Sequence, residues 1–156
     1  MSDDTRALSR RRLLVGATAI GSSRAAAAAG DLPHLAGIVI LIDRNDPQVM
    51  GHAISYSANL SKHFTGKGLP MMRIEIVANG SGIEVFRIDK SPLKEPLATI
   101  LKMFPNVSYS MCASSKMIAE TKENVIIQPI DGAALVPFGI GRVVERQAQG
   151  WAYIHG

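Results

Sequence analysis

The sequence predicts an α/β protein of three layers, a mostly parallel sheet of about five strands with helices on both faces. Three observations predict it. Leu35 to Ile42, LAGIVILI, is a continuous β-branched apolar run of strand length, the pattern of a central parallel strand buried on both faces. Runs of strand length then alternate with segments whose apolar residues recur at three and four. Between them stand cap and stop residues: Asp46-Pro47, Gly66 and Gly68, Pro105, and Gly150.

Each element follows in order. After the first strand, Asp43-Arg44-Asn45-Asp46-Pro47 reads as a turn in which Asp46 caps a helix and Pro47 takes its first position. That helix places Val49, Ala53, Tyr56, Leu60 and Phe64 on one face. Met71 to Ala78 is a second strand, with Met72, Ile74, Ile76 and Ala78 on one side and Arg73 and Glu75 on the other. Asn79-Gly80-Ser81-Gly82 has the residues of a tight turn and lacks a dinucleotide or Walker fingerprint. Ile83 to Ile88 reads as a short helix or turn, and Ser91-Pro92 opens a helix with Leu97, Ile100, Leu101 and Phe104 inward. Val107 to Cys112 alternates as a third strand, and a helix follows that one of the serines Ser114 or Ser115 can cap. Val125 to Gln128 reads as an extended connection. Ala133 to Val136 is a fourth strand, Gly139 to Gln149 a helix, and Trp151 to Ile154 a short last strand.

The chain of 156 residues carries 17 Lys and Arg against 13 Asp and Glu. Five of the arginines lie in the first 29 residues, where Ser9-Arg10-Arg11-Arg12-Leu13-Leu14, a weakly apolar stretch and an alanine run read as a twin-arginine export signal. Residues 1–29 are therefore expected to be a cleaved signal peptide and residues 30–156 one exported, periplasmic domain. The apolar stretch is too short to span a bilayer, so no stable membrane insertion is expected. Without the signal the net charge falls to about +1, which removes the basic face that nucleic-acid binding needs.

Cys112 is the only cysteine. In an oxidising compartment it is buried and inert, paired to another molecule, or reactive. The end of a strand at the start of a helix favours reactivity: helix N-termini and nearby cations stabilise a thiolate, and Lys116 is one turn away. In open α/β sheets the ligand crevice lies beyond the carboxyl ends of the strands, which here carry Asp43, Asn79 and Cys112. No metal or cofactor site is evident. His52 and His63 are about 16 Å apart along one helix, too far to share an ion. Methionines, with Met111 beside Cys112, leave a soft-metal Cu(I) reading open.

Several segments then converge: DRNDPQVM at Asp43 to Met50, IVANGSG at Ile76 to Gly82, SYSMCASS at Ser108 to Ser115, and ALVPFGIGRVVERQAQGWAYI at Ala134 to Ile154. With the order of elements between them, they resemble the DsrE/DsrF-like family of small sulfur-relay proteins, across nearly the whole of residues 30–156. The resemblance implies a flavodoxin-like fold and a homo-oligomer. It also implies that Cys112 carries sulfane sulfur as a persulfide, with Asp43, Asn79, Ser114 and Ser115 as substrate-binding candidates around it. The partner would be a thiol protein or a small sulfane-sulfur donor. The alternative is a non-catalytic oligomeric binding module with Cys112 in its core, and the apolar stretch from Ala134 to Ile154 is the expected contact surface.

Overall fold

The computed structural model describes residues 35–67 and 71–156; the expected signal segment, residues 1–29, lies outside them. Five strands form one sheet: β1 (Gly37–Ile42), β2 (Ile74–Ala78), β3 (Val107–Cys112), β4 (Ala133–Val136) and β5 (Trp151–His155). Their order is β4-β3-β2-β1-β5, and every neighbouring pair is parallel. Four α-helices connect them: α1 (Pro47–Gly66), α2 (Lys94–Met103), α3 (Ala113–Glu123) and α4 (Gly139–Ala148). A 3-10 helix, Gly80–Phe86, precedes α2.

The connectivity decides which face each helix covers. The steps from β1 to β2, β3 and β4 all run in one direction, so right-handed crossovers put α1, α2 and α3 on the same face. The last step returns from the β4 edge to the β5 edge, which sends α4 to the opposite face. Packing agrees. Ile38, Ile40, Ile42, Ile74, Ile76, Tyr109 and Met111 bury against α1, α2 and the 3-10 helix, with Ala119 of α3 added. Among the described residues Val39, Leu41 and Val77 cluster with Val143 of α4, Trp151 and Ala36. The result is three layers of flavodoxin-like type, with a thick apolar core on one face and a thin one on the other.

Local corrections to the sequence reading have physical causes. Asp46 does cap α1, its carboxylate accepting from the N–H groups of Gln48 and Val49, with Pro47 leading the helix. The fully buried stripe of α1, however, is Met50, Ala53, Ser57, Ser61 and Phe64; Val49, Tyr56 and Leu60 are only partly covered. Ser57 can be buried because its hydroxyl donates to the Ile54 carbonyl at 2.7 Å within the same helix. The stretch read as a tight turn at Asn79–Gly82 is the start of the 3-10 helix. Gly82 lets that helix touch β1: a Cβ there would stand 2.3 Å from the Ile42 carbonyl oxygen. Ser91 is no helix cap for α2, which begins at Lys94; its hydroxyl donates to the Val85 carbonyl at 2.5 Å and closes the turn before the helix.

The largest difference is at Glu75. The alternation of β2 placed it on a polar side, yet it is buried, because α4 covers that side and brings Arg142 and Arg146 to it. Among the described residues no helix is long and apolar enough to cross a membrane.

Candidate functional site

Cys112 ends β3 and caps α3. Its backbone is extended (φ −67°, ψ 115°), and its sulfur accepts from the Ser115 N–H at 3.4 Å, so the cap expected from a serine is supplied by the thiol itself. Ser115 follows because it sits at the third position of the helix, where the free N–H groups point back toward the cap. Its hydroxyl accepts from the Gly80 N–H at 2.9 Å and lies 3.5 Å from the Asn79 side-chain oxygen. The hydroxyl has one proton to give. A neutral thiol leaves it to Asn79, whereas a thiolate, as the charged acceptor, draws it to sulfur.

The start of α4 closes the site from the other face. Gly139 is buried, and a Cβ on it would stand 3.0 Å from the Asn79 side-chain oxygen and 3.1 Å from the Cys112 Cβ. Ser114 donates its N–H to the Pro137 carbonyl at 3.2 Å, tying the start of α3 to the loop that leads into α4. Cys112 thus stands where β3 and β4 send their helices to opposite faces, the switch point at which open α/β sheets bind ligands.

The electrostatics follow from this placement. Burial works against ionisation of the thiol, but the Ser115 hydroxyl and the N–H groups of Ser115, Gly139 and Ser114 outweigh it, so the Cys112 pKa lies below its ordinary value. Ser114 contributes least, which fits the commitment of its N–H to Pro137. Cys112 belongs to the buried apolar cluster, and without these donors its pKa would move the other way. Lys116 plays no part in this: its ammonium pairs with Glu120 at 2.6 Å, one turn further along α3. The sulfur residue itself is 2% exposed.

The predicted residues divide. Asn79, Ser114 and Ser115 gather at Cys112. Asp43 does not; it stands two strands away, about 10 Å by strand spacing. Its carboxylate pairs with Arg44 at 2.9 Å and with His155 at 3.1 Å. The Arg44 hydrogen bond, aided by His155, holds its pKa below the usual value. Asp43 is therefore a rim residue tied to the end of β5. Beside the site, a cavity of about 370 Å³ opens between the 3-10 helix and α3, with Gly80, Ile83, Ser115, Ile118, Ala119 and Lys122 among its walls. Ser115 forms the partition between that cavity and the sulfur.

Sequence reasoning missed Gly139, Glu75, Arg142 and Arg146. The signal for Glu75 was a lone acid inside an apolar strand; its partners lie 67 and 71 residues away. Among the described residues no group of three or more His, Cys, Asp or Glu is placed to hold a metal ion.

Fold and site together define a small parallel α/β protein of flavodoxin-like architecture with its one cysteine at the switch point. No protein-family model matches the chain, and no curated protein matches it. Among solved structures it is similar to MTH1491 of Methanobacterium thermoautotrophicum, a protein of unknown function. The two share 28% identity with a TM-score of 0.62, covering 76% of this chain and 97% of that one.

Proposed function

We propose that the protein is a sulfur carrier that holds sulfane sulfur as a persulfide on Cys112, as its resemblance to the DsrE/DsrF-like sulfur-relay proteins implies. The observation that carries the reading is the set of donors converging on a sulfur that burial alone would keep protonated. In the step proposed, the Cys112 thiolate attacks the outer sulfur of a persulfide donor R–S–SH. A new S–S bond forms to Cys112, the donor S–S bond breaks, and the electron pair leaves with the thiolate R–S⁻. Delivery is the same exchange with an acceptor thiolate. No net oxidation occurs. The same donors that stabilise the thiolate then hold the anionic persulfide. Export through the twin-arginine pathway belongs to this reading and rests on the segment before residue 30.

The test is intact mass. Incubation with a sulfane-sulfur donor should add one sulfur, about 32 Da, to the parent and nothing to Cys112→Ser. An unmodified parent, or an adduct that survives the substitution, refutes the carrier.

A second reading has its own observation. Cys112 is nearly covered, and Leu135, Phe138, Ile140 and Val144 lie exposed along β4 and α4, with Phe138 at 67%. This favours a non-catalytic homo-oligomeric module that buries that face between copies. It predicts a thiol that resists a small alkylating reagent until denaturation, and a solution mass above one chain.

A further inference from the structure

Among the described residues, Glu75 is the one charged side chain of the sheet interior. Its side chain is 2% exposed, at the second position of β2. A carboxylate there costs desolvation that an apolar residue would avoid, so its partners have to be accounted for. Three groups donate to it: the Ser110 hydroxyl of β3 at 2.5 Å, the Arg142 Nε of α4 at 2.8 Å, and the Arg146 Nε one turn further along α4. Arg146 also lies over the Trp151 ring, 4.2 Å from its centroid. Arg142 holds Glu145 at 3.6 Å on its solvent side, and Arg73 reaches the same Trp151 ring from β2's entry.

These contacts tie α4 to β2. Among the described residues the helix buries only Gly139 and Val143 of its own, and it is the helix that lies over the thin face of the sheet. Its direction matters. Arg142 and Arg146 lie three and seven residues past Gly139, about 4.5 and 10.5 Å down the helix axis. Asn79 lies four residues past Glu75, about 13 Å up the strand. A helix laid antiparallel on β2 with its arginines on Glu75 therefore delivers Gly139 to Asn79 and Cys112, where it is found.

We propose that Glu75 is a positioning residue for Cys112: by holding Arg142 and Arg146 it seats α4 so that the Gly139 end of the helix stays against the sulfur. The proposal deepens the sulfur-carrier reading and takes its functional meaning from it, but the geometry it asserts is measurable on the thiol alone. Glu75 touches no substrate. It acts through α4.

The experiment is the rate of Cys112 alkylation by iodoacetamide as a function of pH, on the parent, Glu75→Gln and Arg146→Lys. The charged groups around the pair are Arg142, Arg146, Glu145 and Arg73; Lys116 near the thiol is held by Glu120. Glu75→Gln should move the midpoint of the profile to higher pH and lower the rate at pH 7 roughly two- to fivefold, the size of one helix terminus acting on an adjacent charge. Arg146→Lys keeps a cation but loses the fork, and should move the midpoint the same way by less. In denaturant all three should titrate alike. A purely structural Glu75 would lower thermal stability and leave the midpoint in place; that result overturns the proposal. If Glu75→Gln does not fold, an unmoved midpoint in Arg146→Lys overturns it equally. Failure of the parent to take up sulfane sulfur removes the carrier and leaves this profile readable.

Discussion

Replacing Gly139 by alanine separates the fold from the site. The glycine has no left-handed backbone requirement, so the effect is steric. The new Cβ would stand 3.0 Å from the Asn79 side-chain oxygen and 3.1 Å from both the Asn79 and Cys112 Cβ atoms, against ordinary contacts of 3.4 Å and beyond. Each neighbour must give by a few tenths of an ångström. One methyl group pressed into a close-packed site costs about 1 kcal/mol, the low end for overpacking, because Asn79 is half-buried and its side chain can yield. For a domain of this size that lowers the melting temperature by about 3 °C. The thiol responds more specifically. Moving the α4 terminus away takes the Gly139 N–H from the sulfur, so the midpoint of the alkylation profile rises, while the plateau rate at high pH reports how far the site has opened. Calorimetry gives the first quantity and the pH profile the second. A melting temperature that falls with an unmoved midpoint would show that the helix terminus does not act on the thiol, and the electrostatic reading of the site would be refuted.

Acid should weaken the fold through its clamps. Arg87 and Lys90 hold the Glu123 carboxyl down to about 2 from its usual 4.5, and against burial the Ser110 hydroxyl, with Arg142 and Arg146, holds Glu75 below its usual value. A depressed carboxyl stabilises the fold fully above its unfolded pKa and loses that contribution as pH falls through the folded one. Glu123→Gln should therefore be less stable than the parent near pH 7, with most of the difference lost between about pH 4.5 and 2; a gap as large at pH 2 as at pH 7 contradicts this. Tyr109→Phe removes a buried hydroxyl that donates to the Leu97 carbonyl at 3.0 Å and keeps the ring stacked on Phe86. Its cost in urea unfolding should be about 1 kcal/mol, the net worth of one hydrogen bond. A loss of several kcal/mol would mean that the ring had moved.

The sequence by itself determined the layered fold, because the features that set it are local and periodic. LAGIVILI is apolar at every position, and a strand with no polar face can only lie inside a sheet covered on both sides, as β1 does. Asp46-Pro47 marks the start of α1 since a carboxylate cap and a proline without an N–H are both satisfied there and nowhere further along the helix. The same local logic placed Cys112 between a strand and a helix. It could not say what surrounds the sulfur. Lys116, the nearest cation along the chain, is drawn away by Glu120, and beside the local Ser115 the thiol is acted on by Gly139, which arrives from α4. Asp43 was credited to the site because all strand ends share one rim; the strand order puts β2 between it and Cys112 and gives it to His155. Glu75 is the clearest case. Alternation along β2 assigned it a polar side, and only the long return from β4 to β5 turns that side into an interior, since a carboxylate can be buried there once α4 arrives with two arginines. Periodicity is a property of neighbours in the chain, whereas charge pairing at the switch point is a property of which crossover lies over which strand.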